Sequence, residues 1–455
     1  MKFFHILIGF SLLIFSCKKD NSGNVIMDEN LVEIIPTTGD EKYLNQNSDY
    51  IFDQEKLHTF ELSLPQAALE KINDDPTAEE YVEGSLTFEG ETISPVGIRY
   101  KGSIGAFVGC VSGNDWTNPS GHKTCTKLSM KIKINWEGRE ERFYGLKKIQ
   151  LHSMNNDDSQ MRDRLGYWLF REMDIPTPRA THARLFINGE YVGLFALIEH
   201  IDGRFTRYNF DNGKGNLYKE VWPLNSDNES QSEQVYLNAL ETNKDENPTA
   251  QLFKSFADQI IEADTESDLQ NVISNRMNTN EIISYAVVDR TIRHDDGPFH
   301  WYCNGDICTN HNYFWYEDPS TEKFHLIPWD LDNAFENIIS NANPVTPIKD
   351  GWGETSGNCE PFNYGAFFIS QRSAACDKLT GGWASFEDEY DQLKTQFIEG
   401  PLSIEKANAK LDEWKTLIHQ ATLDASEEHS DAISISSWEI SIEKLKQQLQ
   451  YAREN

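Results

Sequence analysis

Residues 183–201 read ARLFINGEYVGLFALIEHI. Two β-rich runs flank Asn188-Gly189, the strongest short hairpin signal, because both central positions of a type I′ turn need positive φ. Upstream, His58 to Leu64 (HTFELSL) alternates apolar and polar, and EGSLTFEG and SPVGIRY continue as strands up to Tyr100. Lys127 to Trp136 (KLSMKIKINW) alternates strictly, with Leu128, Met130, Ile132 and Ile134 on one face and Lys127, Ser129, Lys131 and Lys133 on the other. Residues 142–152 predict a further strand, and 214–223 (NLYKEVW) a short one. Pro65 to Ile72 reads as a short helix. A second helix follows Asp157-Asp158-Ser159, which offer N-caps, with Met161, Leu165, Trp168, Leu169 and Met173 as its apolar stripe. After residue 224 the character changes. Helical patterns appear around 233–240, over 250–290 (AQLFKSFADQIIEA, then NEIISYAVVDRTI), and at 386–397, 403–423 and 437–453. The expectation is an α+β chain: a β-rich first half with one long helix, a hairpin that exits at Glu199 as a hinge, and an α-rich second half.

The N-terminus sets the compartment. Lys2 precedes an apolar run from Phe3 to Phe15, too short to span a bilayer, and Ser16-Cys17 follows. Residues 1–16 read as a signal peptide, and Ile14-Phe15-Ser16-Cys17 is similar to the lipobox of bacterial lipoproteins, in which the cysteine is lipidated. Residues 17–47 are polar and read as a tether. Without Cys17, six cysteines remain: Cys110, Cys125, Cys303, Cys308, Cys359 and Cys376. An even count in an exported chain implies disulfides. Nearness in sequence favours 110–125, 303–308 and 359–376. No C-x-x-C pair supports zinc. A formal charge of −32 and a pI near 4.7 set the chain against nucleic acid and anionic lipid; they suit a basic protein substrate, or simply solubility. Contact with a membrane is expected only through the lipid anchor.

The stretch from His294 to Phe335 carries the chemistry. It reads HDDGPF, a cysteine-clipped insertion, HNYFWY, and then IPWDLDNAF. Asp296, Asn312 and Asp330 occur in the order that phosphoryl transfer needs: a carboxylate to orient the attacking hydroxyl, then an amide and a carboxylate to hold magnesium. Four histidines in this region (His294, His300, His311, His325) fit no paired metal-binding pattern.

Several phrases resemble the CotH family of atypical protein-kinase-like enzymes: VGIRYKGS (96–103), KLSMKIKIN (127–135), LHSMNNDDSQMRDRLGYWLFREMDIPTPRA (151–180), LFINGEYVGLFALIEHID (185–202), LYKE (217–220), HNYFWYEDP (311–319) and IPWDLDNAF (327–335). The resemblance implies a two-lobe kinase-like fold over 48–455, with a β-rich N-lobe at about 48–200 and an α-rich C-lobe at about 201–455. It implies transfer of the ATP γ-phosphoryl group to protein Ser/Thr hydroxyls with Mg²⁺ or Mn²⁺. Asp296, or the adjacent Asp295, corresponds to the catalytic residue, Asn312 and Asp330 to metal ligands, with Asp332 either a third ligand or a helix cap. Lys101 and Lys127 are expected to face the phosphates, with Arg99 and Arg162 as further phosphate or ion-pair residues, and Glu199 beside the base. ATP is scarce outside the cytoplasm, which keeps open a binding or adhesion lipoprotein on a kinase-like scaffold, or a phosphotransferase acting on a glycan or small molecule.

Overall fold

The computed structural model describes residues 48–454 except 140, 141, 246, 306, 337, 340–358 and 365–368. The expected signal peptide, lipidated Cys17 and tether lie outside the described residues. After one helical turn, α1 (Ser48–Ile51), seven strands close into a barrel: β1 (His58–Ser63), β2 (Val82–Phe88), β3 (Glu91–Tyr100), β4 (Met130–Lys133), β5 (Lys148–His152), β6 (Ala180–Ile187) and β7 (Glu190–Ile198). Between them lie α2 (Gln66–Asp74), α3 (Ile104–Phe107) and α4 (Arg162–Arg171). The strand order around the barrel is β1-β2-β3-β4-β5-β7-β6. All neighbours are antiparallel except β1 and β6, whose parallel pairing (Phe60 opposite Leu185) closes the ring. Period-2 alternation fills the interior with Phe60, Leu62, Leu86, Ile98, Met130, Ile132, Ile149, Leu151, Leu185 and Leu197. The same alternation turns Arg99, Lys131, Lys148, Gln150 and His152 outward.

The hairpin of 183–201 forms as read. Asn188 (φ 52°) and Gly189 (φ 88°) occupy both positive-φ positions, and the Asn188 side chain bonds both backbone groups of Leu64 (2.8 and 3.1 Å), tying the turn to the end of β1. β4 is shorter than the expected 127–136 strand, because the ladder begins only at Met130.

The rest of the chain is mainly helical: α5 (Gly203–Asn209), β8 (Asn216–Lys219), α6 (Glu233–Asn238), α7 (Gln251–Glu262), α8 (Glu266–Arg276), α9 (Thr279–Ile292), β9 (Trp301–Asn304), β10 (Ile307–Thr309), β11 (Tyr313–Asp318), β12 (Lys323–Pro328), β13 (Phe362–Tyr364), β14 (Ile369–Arg372), α10 (Lys378–Ala384), α11 (Glu387–Glu399), α12 (Ala409–Glu428) and α13 (Ile435–Glu454). Strands β8, β11 and β12 make one small sheet; β10, β9, β14 and β13 make another. The chain is thus α+β. Its larger core runs through the helices and also takes in α4 and the outward face of β7 (Leu194, Ala196, Ile198). α4 therefore packs against β6 and α9 and stands at the seam between barrel and helices. Cys110–Cys125, Cys303–Cys308 and Cys359–Cys376 are the three disulfides, in the pairing that sequence nearness favoured. Among the described residues, no helix is long and apolar enough to cross a membrane.

Candidate active site

The seam opens as a cleft of about 660 Å³. One wall is the outer face of β3, β4 and β5 with the chain just beyond; it carries Arg99, Lys101, Lys131, Lys148 and His152. The other carries Asp163 from α4, together with Asp296, Asn312, Asp330 and Asp332.

The β11–β12 hairpin brings the acidic residues together. Tyr313 pairs with Pro328, so the residues just outside the ladder, Asn312 and Trp329, face each other, and Trp329 N–H donates to Asn312 O at 3.1 Å. Asn312 (φ 59°) and Asp330 (φ 53°) both adopt the left-handed conformation, which Asn and Asp tolerate better than most residues. The Asn312 amide donates to Asp296 Oδ2 (2.8 Å) and to Asp296 O (3.0 Å), so Oδ1 is the atom left to offer a cation. The Asp330 turn is fixed from three sides. Its N–H donates to the Tyr167 hydroxyl (2.9 Å), its carbonyl pairs with His294 Nε2 (2.9 Å), and Leu331 N–H donates to Asp163 Oδ1 (3.1 Å).

Charge is unevenly distributed across this cleft. Burial, then the neighbouring carboxylates Asp330, Asp163, Asp296 and Asp157, push the Asp332 carboxyl well above its ordinary range. Burial also raises Asp296, although His294 and His311 oppose the shift. On the barrel wall, burial, followed by Lys148, Lys101 and Arg99, lowers Lys131 to about 7. Lys101 is lowered by burial, with Asp330 and Asp163 opposing. Packed carboxylates face packed ammonium groups across a gap, an arrangement suited to a divalent cation on one side and phosphate on the other. Ligand atoms of His152, Asp163 and Asp330 lie within 4.8 Å of one another. The carboxylates of this group, with Asn312 Oδ1 in the same cleft, offer the oxygen ligands that Mg²⁺ or Mn²⁺ prefers.

Of the residues singled out from sequence, Asp296, Asn312, Asp330, Asp332, Lys101 and Arg99 line this cleft; Arg99 is ion-paired to Glu79. Four others do not. Asp295 is buried with Oδ1 3.8 Å from both Arg293 Nε and His300 Nε2, so of the two adjacent aspartates it is Asp296 that reaches the cleft. Lys127 precedes the β4 ladder, so the alternation linking it to Lys131 does not extend to it. Its ammonium donates instead to Leu194 O (3.0 Å) and lines a separate cavity of about 630 Å³ near the α12–α13 turn. Glu199 is locked between Arg179 (2.7 Å) and Arg204 (2.5 Å); burial would raise its pKa, but the two guanidiniums overcome this and hold it at about 2. Arg162 donates to Asp332 O (3.0 Å) and lies 3.5 Å from Asp157 Oδ1, bracing the backbone of the acidic turn rather than facing the cleft. Sequence reading gave no role to His152, Asp163 or Lys148, and placed Lys131 only on the polar face of its strand. His152 and Asp163 fall inside a quoted family phrase, yet only the fold aims them at Asp330.

A family model described as CotH kinase protein matches residues 98–454, which takes in every cleft residue named here except Glu79. The chain belongs to the CotH kinase family. No curated protein matches it. The family suggests kinase-like chemistry using a nucleotide and a divalent metal. The three disulfides of this CotH-family chain suggest an extracytoplasmic protein, since such bonds persist in oxidising compartments.

Proposed function

We propose that this CotH kinase transfers the γ-phosphoryl group of ATP to Ser/Thr hydroxyls of an exported protein. The observation that carries this reading is the Asp296–Asn312 contact, with Asn312 and Asp330 flanking the two ends of the β11–β12 hairpin in the cleft that Lys101, Lys131 and Lys148 also line. In it, Asp296 orients the acceptor hydroxyl and takes its proton. Asn312 Oδ1 and the Asp330 carboxylate hold Mg²⁺ or Mn²⁺, with Asp332 beside them. When bound, the cation neutralises charge developing on the β- and γ-phosphates. The three lysines bind the phosphate oxygens, and the low dielectric of the cleft strengthens their pull. The barrel then corresponds to a kinase N-lobe and the helical half to a C-lobe, as in the two-lobe domain reading of 48–455. Cys17 anchors the chain by lipid, and residues 17–47 tether it.

The test uses purified protein lacking residues 1–20, labelled ATP, and Mg²⁺ or Mn²⁺. Label should pass to the chain itself or to an offered basic protein, and Asp296→Ala and Asp330→Ala should abolish transfer. No transfer, together with no nucleotide-dependent rise in melting temperature, rejects the reading. Labelled palmitate incorporation, lost in Cys17→Ser, tests the anchor.

A further inference from the structure

We infer that His152 and Asp163 are positioning residues that set the phosphate-facing Lys101 and the Asp330 turn as one unit. This rests on the phosphotransferase reading and deepens it. Lys101 lies just beyond β3, and its ammonium is 2.9 Å from His152 Nε2. A lysine ammonium has donors and no acceptor, so Nε2 accepts this bond and the ring proton sits on Nδ1. Nδ1 is 3.4 Å from Asp163 Oδ2, a gap that a shift of a few tenths of an ångström closes to a hydrogen bond. The other oxygen of the same carboxylate accepts the Leu331 N–H at 3.1 Å, between Asp330 and Asp332. One chain of contacts therefore runs from the barrel wall, through an imidazole, to helix α4 and on to the acidic turn.

Nothing in this chain of contacts is loose. His152 and Asp163 are almost fully buried, and the imidazole meets Trp329 edge-on at 5.7 Å. The Lys101 ammonium sits 5.5 Å from the centre of the same indole. Protein kinases pair the corresponding lysine directly with a helix carboxylate, and phosphoryl transfer needs that pair and the metal aspartate in place together. Here the helix carboxylate is an aspartate, with His152 standing between it and the lysine. The imidazole bridges the gap and gives the lysine one defined orientation.

The experiment measures binding of MgATP and AMP by calorimetry, in wild type, His152→Phe, His152→Gln, Lys101→Met and the double variant H152F/K101M. Phenylalanine keeps the ring against Trp329 and removes both nitrogens; glutamine restores an acceptor for Lys101. H152F should weaken MgATP binding roughly tenfold, the usual worth of one charged hydrogen bond, and AMP binding less than twofold. H152Q should recover most of the loss, and H152F should add little to K101M, because both remove the same interaction. Additive losses, or equal weakening of AMP, make His152 a packing residue and overturn the inference alone. Binding of Mn²⁺ to the nucleotide-free protein is measured in parallel. A tenfold loss there in H152F makes His152 a metal ligand and also overturns it. A wild-type chain that binds no nucleotide rejects the phosphotransferase reading and this inference with it.

Discussion

Lys131 and Asp332 show how the cleft converts burial into pH dependence. Lys131 titrates at about 7 in the folded chain, below the 10.5 of a free lysine. Between those values the unfolded state holds a proton that the folded state gives up, so this position's contribution to stability rises with pH from 7 to 10.5. Lys131→Met should therefore stabilise the protein at pH 6 and lose that advantage by pH 10, as read from urea unfolding at the two pH values. A bound polyphosphate favours the charged amine, so MgATP binding at pH 8 should take up a fraction of a proton approaching one. Calorimetry in two buffers of different ionisation heat measures this, and Lys131→Arg should abolish it. Asp332 is shifted the opposite way. Its raised pKa means that the folded state holds a proton the unfolded chain releases, so its contribution falls as pH rises above 3.8. Asp332→Asn should be more stable than wild type at pH 8, as read from urea unfolding, and should show a smaller Mg²⁺-induced rise in melting temperature. Neither shift is legible in sequence, because burial is the first cause of both and only the packed fold decides it.

At the scale of elements, the cleft depends on how closely α4 approaches the acidic turn. A Cβ on Gly166 would lie 2.7 Å from Leu331 Cδ1 and 3.2 Å from its Cβ. Gly166→Val should push the Asp330–Asn333 turn off the helix. A cost of about 1–3 kcal/mol is expected, with a fall in labelled-phosphate transfer larger than the stability loss alone explains. The apolar stripe of α4 was readable from sequence; that its small residue faces Leu331 was not. The disulfides scale with the loops they close. Removing Cys110–Cys125 (separation 15) as a double serine variant should cost about 3 kcal/mol, and removing Cys303–Cys308 (separation 5) about 2 kcal/mol. Guanidinium unfolding of each variant checks the order. The helical stretch expected over 250–290 divides into α7, α8 and α9, and the apolar pattern of α8 is too weak to mark its ends. Its signal was the Thr265–Asp268 capping box, which the structure forms in full.

For the whole molecule, charge and site are opposed. The chain carries −32 overall, yet one wall of the cleft is cationic. The long-range field favours a basic acceptor, while the local wall favours phosphate. Transfer to a Lys/Arg-rich peptide should therefore fall several-fold in kcat/KM between about 0.05 and 0.5 M NaCl, as screening shortens to a few ångströms. Transfer to a neutral peptide of the same length should change much less. Equal salt dependence of the two would show that the acidic surface serves solubility alone.

The sequence by itself determined what is local or periodic. Asn188-Gly189 dictates the hairpin, alternation dictates the barrel strands and their buried faces, and short cysteine separations favoured the disulfide pairing. The order Asp296, Asn312, Asp330 supplied the candidate chemistry. Tertiary structure alone decided what depends on register and on the seam between barrel and helices. It turned Asp296 rather than Asp295 into the cleft, took Lys127 out of it, and locked Glu199 between two arginines. It also set His152 and Asp163 beside Asp330. The physical reason is that a side chain's direction follows from the ladder or helix that holds it, whereas its neighbours across a seam follow from packing between segments far apart in the chain.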